Sequence, residues 1–276
     1  MSELVALDGL GLLPQGPTLT LALSQGQSMC IVGPSASGKT RLLRCIQGKE
    51  KPGQGRADVL DRWVEASRDG VGRRSTPQNL ARKWAEKRAS DVSTALSAAG
   101  LWEARAVPID ELSESQRLAC QMLQPLAGRE PVLFVDGHFD QVDAWTRASL
   151  LAGLKDRVRA GAAAIVVTNR LELCSEFDVI VIMRECRPLF AGSVEELLRE
   201  SGESEVIVET RAQPGVRALI EPFEISVKST PQGLELRATE GQAIAAKLLA
   251  EGFGDVRMVV VRQPSVEDAV RRIVGR

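Results

Sequence analysis

Histidine is almost missing. His138 is the only one in 276 residues, which excludes a His-rich metal site and leaves a Ser-His-Asp triad unsupported. Long apolar runs are missing too. None approaches the roughly 20 residues needed to span a bilayer. No charged-then-apolar leader is visible at the start, so no secretory signal is expected. Cys30, Cys45, Cys120, Cys174 and Cys186 are odd in number and form no C-x-x-C, so they read as reduced, mostly buried thiols of a cytosolic protein. Nor does either sign of charge dominate. With 35 basic and 36 acidic residues the net charge is −1, giving no global attraction to nucleic acid, and no nucleic-acid partner is expected. What is present is 44% apolar residues, ample for a core, in a length that suits one large domain or two smaller ones.

One stretch organises the rest. A short apolar run ends at Val32. Gly33, Pro34, Ser35, Ala36, Ser37, Gly38, Lys39 and Thr40 follow, and then a helix-like Arg41–Ile46. This is G-x-x-x-x-G-K-[ST] between a strand and a helix. The glycines let backbone N–H groups turn inward to make a concave anion site, and the helix dipole adds to it. Lys39 can reach the β/γ-phosphates, and the Thr40 hydroxyl can meet Mg²⁺. The expected ligand is a nucleoside triphosphate, held by Gly33, Ser35, Ser37, Gly38, Lys39, Thr40 and Arg41.

Around this motif, residues 1–16 are apolar and Gly-rich without a clean period. Leu19, Leu21 and Leu23 alternate with polar or small residues as a half-buried strand. Residues 56–64 could hold a short strand. The stretch 68–88 is basic (Arg68, Arg73, Arg74, Arg82, Lys83, Lys87, Arg88), and it reads either as a solvated helix face or as a surface toward anionic lipid or a membrane partner. Leu80, Trp84, Val92 and Leu96 fall at helical spacing, predicting a helix through about residue 99. Ser113 and Gln116 form a capping-box pattern that opens another helix. Val132–Asp136 is an apolar strand ending in an acid, which beside a phosphate loop can help hold Mg²⁺. Residues 162–169 repeat the form, and 179–183 are a further strand. Alternating strands and helices predict α/β architecture with a mostly parallel sheet. From about residue 203 the order β-α-β-β-α-β-α predicts a small ferredoxin-like α+β domain. Its strands are placed at 205–210, 223–228, 233–238 and 256–261, and its helices after Pro214, at 240–251 and at 265–273.

Taken together, Gly33–Thr40, Leu112–Gln116, Val132–Asp136, Asp143 and Thr168-Asn169 resemble the nucleotide-binding subunit of an ABC transporter. The tail, from Arg262 to Ile273, resembles the C-terminal accessory region of the ABC-2 type exporter ATPases. The resemblance implies a P-loop NTPase domain over 1–200, with a shortened helical subdomain at about 78–125, and an accessory domain over 203–276. It implies ATP and Mg²⁺ as cofactors and a membrane permease as partner. It also implies a homo- or heterodimer with another such subunit, and a cytoplasmic place on the inner face of the plasma membrane. In such a dimer, one chain's phosphate loop and the other's signature sandwich each ATP. Ser113, Gln116 and Asp143 are the matching dimer-signature positions, and Thr40 and Asp136 the metal positions. Gln78 matches either a Q-loop glutamine, which would join the metal set, or the start of the helical subdomain.

The sequence departs from that family at several points. Ala36 stands where glycine is usual. Gly137 occupies the catalytic glutamate's place and Asn169 the switch histidine's, so no catalytic residue is assigned. Glycine cannot polarise water, and an amide cannot carry imidazolium charge. No aromatic precedes the phosphate loop in residues 1–28, leaving leucines such as Leu10, Leu12 or Leu13 to face adenine. Glu114 and Ser115 replace signature glycines. His138 and Asp140 are poor substitutes for the base, since adjacent strand-end residues point in opposite directions. Two readings result: a degenerate, hydrolysis-impaired ATP-binding subunit, or a non-transport nucleotide-gated regulatory or scaffold protein.

Overall fold

The chain divides into two units, Met1–Val194 and Glu195–Arg276. The computed structural model describes residues 2–60, 62–66, 72, 74–88, 92–201, 204–223, 225–238, 240–251, 256–262 and 264–275. The first unit begins with β1 (Glu3–Gly11), β2 (Leu19–Ser24), β3 (Ser28–Val32), α1 (Lys39–Ile46), β4 (Gln54–Val59) and β5 (Trp63–Glu65). A helical segment follows: α2 (Pro77–Arg88), α3 (Val92–Ala98) and α4 (Glu114–Ala127). Then come β6 (Val132–Asp136), α5 (His138–Gln141), α6 (Ala144–Arg159), β7 (Ala163–Thr168), β8 (Val179–Arg184) and β9 (Arg187–Gly192).

The main sheet runs β5-β6-β7-β3-β8-β9. Its first five strands are parallel and β9 returns antiparallel. β3 lies between β7 and β8, with every one of its residues buried. That explains its unbroken apolar run, since a central parallel strand is covered on both faces. The loops after β3, β6 and β7 leave at the same sheet edge, where ligands of open parallel sheets bind. At the far edge Trp63 meets Phe134 edge to face, with ring centroids 5.3 Å apart, and fixes the short β5 on β6.

A second, antiparallel sheet runs β2-β1-β4. Here the structure corrects the sequence reading. Residues 3–11 form a long strand whose alternation is broken by register shifts between Glu3 and Val5 and between Leu7 and Leu10. Gly9 sits at φ +59°, so the two-residue period is lost although the strand persists. The single strand expected at 56–64 is two strands, β4 and β5, in different sheets. The helix expected through residue 99 is two, α2 and α3; residues 89–91 lie outside the described residues. Of the basic stretch, Arg68 and Arg73 lie outside them, as do the side chains of Lys87 and Arg88. Arg74, Arg82 and Lys83 are exposed. Among the described residues, no helix is long and apolar enough to cross a membrane.

α7 (Val194–Ser201) carries the division between the units. The second unit holds β10 (Ser204–Thr210), α8 (Gln213–Ile220), β11 (Ile225–Thr230), β12 (Gly233–Ala238), α9 (Gly241–Glu251), β13 (Val256–Arg262) and α10 (Val266–Gly275). Its sheet order is β11-β12-β10-β13, all antiparallel, the ferredoxin-like arrangement of β-α-β-β-α-β. Strict alternation in β10 sends Val206 and Val208 into a core with Ile220, Leu236, Ile244 and Leu248. Gly233 is required at the β11–β12 turn, because a Cβ there would lie 1.9 Å from the Val208 carbonyl oxygen.

Candidate functional site

The phosphate loop leaves β3 at Val32 and enters α1 at Lys39. Close approach dictates its first glycine: a Cβ on Gly33 would lie 2.1 Å from the Met183 carbonyl oxygen. Gly38 caps α1 at φ +94°. A Cβ there would sit 3.1 Å from Leu12 Cδ1 and 3.0 Å from Cys186 Sγ. Ala36 takes φ +62°, a left-handed conformation that explains why glycine would be the easier residue. Ser35 is exposed at the crest of the loop. Lys39 is buried, and its ammonium donates to the Gly33 carbonyl (2.8 Å), the Pro34 carbonyl (2.7 Å) and Ser37 Oγ (3.3 Å). Burial lowers the Lys39 pKa, opposed by the charges of Asp140 and then Asp136. Arg41 is ion-paired to Glu50 at 2.7 Å. A cleft of about 370 Å³ opens here, lined by residues 36–41 together with Arg44 and Glu50, which sequence reasoning did not single out.

Two hard oxygen donors meet beside the loop. Thr40 Oγ1 donates to Asp136 Oδ1 at 3.3 Å. Burial foremost raises the Asp136 pKa, while the Thr40 hydrogen bond opposes the rise. Among the described residues, no cluster of three or more His, Cys, Asp or Glu could hold a metal alone. That fits Mg²⁺, which is typically held by one or two protein oxygens while phosphates and water fill its octahedron. Gln78 is the second residue of α2, and its backbone N–H bonds the Arg105 carbonyl at 3.0 Å. Among the described residues, no hydrogen bond joins it to Thr40 or Asp136. It stands at the start of the helical segment.

The chain beyond Asp136 turns at Gly137, φ +70°, which caps α5. The turn sends His138 toward α4, where its Nε2 lies 3.0 Å from Gln121 Oε1. Asp140 instead reaches the end of β7. It accepts from the Thr168 hydroxyl, from the Asn169 N–H (3.0 Å) and from Asn169 Nδ2 (2.9 Å). Sequence reasoning dismissed Asp140 as a base and did not foresee this network. The only available signal was an acid four residues past Asp136.

The signature residues have local partners. Ser113 caps α4 reciprocally with Gln116, whose N–H bonds Ser113 Oγ at 3.2 Å. Asp143 caps α6, accepting from the Thr146 N–H at 2.9 Å. These bonds, the Thr146 backbone first, hold its carboxyl down at about 2. The Asp143 N–H donates to Ser115 Oγ at 3.0 Å, so the serine replacing a glycine ties the two caps together. Beside them Trp145 is 87% exposed. The leucine expectation needs correction. Leu10 and Leu12 are fully buried in the core and offer no face to a base, while Leu13 keeps some surface.

Known proteins share this layout. Residues 17–139 match the ABC transporter family. A methionine import ATP-binding protein of Leifsonia xyli subsp. xyli is 29% identical over 206 residues, covering 65% of this chain and 60% of that protein. The match thus spans less than two thirds of that relative's length. A cytochrome c biogenesis ATP-binding export protein of Cupriavidus necator is 30% identical over 192 residues, 61% of this chain and 84% of that protein. In three dimensions, the ATP-binding subunit of an ABC transporter superposes with a TM-score of 0.60 at 16% identity, over 72% of this chain and 93% of its own. A bacterial Atm1-family ABC exporter with ATP bound gives 0.59 at 19%, over 72% and 40%. The phosphate loop on a central parallel strand, the acid on the next strand but one and these similarities lead to one assignment: the chain belongs to the ABC transporter family of ATP-binding subunits.

Proposed function

We propose that this chain binds ATP with Mg²⁺ but hydrolyses it poorly alone, serving as a nucleotide-closed latch in a dimer that works with a membrane permease. One observation carries the reading. The backbone at the base position is left-handed glycine, and the amide at the switch position is committed to Asp140. Phosphoryl transfer depends on positioning and electrostatic stabilisation. Without a group to orient water, the expected loss is on the order of 10²–10⁴ in rate.

The binding half of the machinery is kept. Gly33, Ser37 and Gly38 shape the loop, and Lys39 supplies buried positive charge at its mouth. Ser35 and Arg41 stand at its rim. Thr40 and Asp136 are the pair that would hold Mg²⁺, which supplies charge neutralisation between phosphate oxygens. Gln78, at the start of α2, would either join the metal set as a Q-loop glutamine or open the helical subdomain. Ser113, Gln116 and Asp143, with the exposed Trp145 beside them, form the face offered to a second subunit. Such a partner could be a copy of this chain or a competent ATPase whose site these residues complete. Aromatic residues are favoured in interface cores, which supports that use of Trp145. Residues 1–200 would be the nucleotide-binding domain and 203–276 the accessory one. A cytoplasmic position against the membrane follows from pairing with a permease.

ATP titration of the purified full chain, with and without Mg²⁺, tests the binding half, using Lys39→Ala as the control. Steady-state phosphate release tests the other half. Saturable binding lost in Lys39→Ala, with turnover far below that of a hydrolytic subunit, is the expected pair of results. Fast turnover by this chain alone overturns the reading.

A further inference from the structure

The Asp140 carboxylate has a place and a set of partners that its sequence position did not announce. It sits on α5, immediately after the Gly137 turn, and that turn is itself held by the Gly137 N–H on the Val167 carbonyl at 3.0 Å. From there, among the described residues, the hydrogen-bond partners of both carboxylate oxygens are donors. Oδ1 accepts from the Thr168 hydroxyl and the Asn169 N–H (3.1 Å), and Oδ2 accepts from the Asn169 N–H (3.0 Å) and Asn169 Nδ2 (2.9 Å). Arg170 adds a bond to the Asp140 carbonyl at 3.4 Å. Thr168 is fully buried, which anchors the assembly at the end of β7, the strand beside the phosphate-loop strand. Thr168 is paired with Val32, the residue before Gly33, and Val167 with Asp136, so the Asp140 carboxylate stands at the sheet edge where the phosphate loop leaves and Asp136 ends.

We infer that Asp140 is a specificity-determining residue of the nucleotide site, a second fixed negative charge that makes binding of a triphosphate depend on its divalent cation. Asp136 alone can be answered by Thr40 and a metal. With Asp140 added, two carboxylates stand near the buried Lys39 ammonium, in a cleft that Arg41, paired with Glu50, and Arg44 also line. A cation-free triphosphate, rich in charge at its terminal end, meets the strongest repulsion from these carboxylates. A metal-bound triphosphate or a diphosphate meets less. The same contacts hold the 168–170 loop in one posture, so charge and loop position are set by one side chain.

This inference rests on the nucleotide-binding reading above, and the experiment separates the two. Binding of ATP to the full chain is titrated in excess EDTA and in excess Mg²⁺, and ADP in EDTA. The chains compared are wild type, Asp140→Asn, Asp140→Ser and Lys39→Ala. Both Asp140 variants keep a polar group for Thr168 or Asn169 and remove the charge. Each should tighten EDTA-ATP binding on the order of tenfold, with at most about a threefold change for Mg²⁺-ATP and for ADP. A purely structural role for Asp140 would move all three ligands alike. If wild type binds and the ratio of Mg²⁺-ATP to EDTA-ATP affinity stays unchanged in both variants, Asp140 is not the determinant and the nucleotide reading stands. If wild type binds none of the ligands, both readings fail. Thermal melting of each variant accompanies the titration. Should one variant not fold, the other decides, and raising salt on wild type, which should relieve the EDTA-ATP penalty selectively, gives a third readout.

Discussion

Restoring the missing carboxylate should harm this protein before it helps it. Gly137 stands at φ +70°, and its Cβ position has nothing within 4 Å. A side chain there meets no steric obstacle, so the cost is conformational. A non-glycine residue held in the left-handed region costs roughly 1–2 kcal/mol. Gly137→Ala isolates that cost. Gly137→Glu adds a third acid beside Asp136 and Asp140, so its loss should be at least as large at neutral pH. For a cooperative unit of this size, 1 kcal/mol moves the melting temperature by roughly 2–4 °C. Scanning calorimetry or urea titration of the three proteins should therefore order them wild type, Ala, Glu. Phosphate release by Gly137→Glu should recover only part of the factor on the order of 10²–10⁴ that a water-orienting base supplies, because Asn169 stays bonded to Asp140. Melting of Gly137→Ala at or above the wild-type temperature would refute the assignment of backbone strain to this turn. Full hydrolytic recovery in Gly137→Glu would refute the claim that the turn and Asn169 both limit the reaction.

Two further outcomes follow from backbone and cap geometry. Ala36→Gly relieves a left-handed alanine at φ +62° and should raise stability by about 0.5–1 kcal/mol in urea titration, after the extra chain entropy of glycine is subtracted. Asp143→Ala removes the α6 cap and should cost about 1 kcal/mol at neutral pH. The Asp143 carboxyl is held at about 2 in the folded chain, below its ordinary range, so its stabilising charge is complete above about pH 4. That contribution fades as pH falls toward 2, and the gap between wild type and Asp143→Ala should shrink over that window in acid-unfolding curves.

Much of this was legible because local rules and tertiary packing agreed. The phosphate loop carries its instructions in the two glycines and in the flanking strand and helix, each of which needs only nearby residues. β10 was readable because its alternation is unbroken. Ser113 and Gln116 announced a capping box, and α4 starts there. The failures share a different cause. β1 hid behind Gly9 and two register shifts, which a period-2 search cannot cross. β5 has only three residues, too few for any period, and it exists because Trp63 packs on Phe134. β9 follows a tight turn through Glu185 and Cys186, at φ +51° and +61°, with none of the Gly or Asn that usually marks such a turn. Asp140 meets Thr168 and Asn169 across 28 and 29 residues of sequence, and no local pattern reports that meeting. Leu10 and Leu12 were misjudged because apolar letters do not say whether they face a ligand or a core.

The placement of β3 has a consequence for how the chain comes together in time. Its neighbours are β7 and β8, so Ser28 waits for Ala164, and Met29 for Ile165 and Val179. Gly33 is boxed in by Met183, and the Ser37 carbonyl accepts from the Cys186 N–H at 2.9 Å. An early segment is thus completed only by late ones, the non-local pairing that slows folding. During synthesis the phosphate-loop sequence leaves the ribosome long before the strands that shape it, and it stays exposed as an unpaired apolar strand until they arrive. On this pairing the nucleotide site is expected to form only after β7 and β8 have been made. A chain stopped before Ala163 would carry the full motif but neither β7 nor β8, so it should not bind nucleotide, and binding doubles as a readout that these later strands have joined β3.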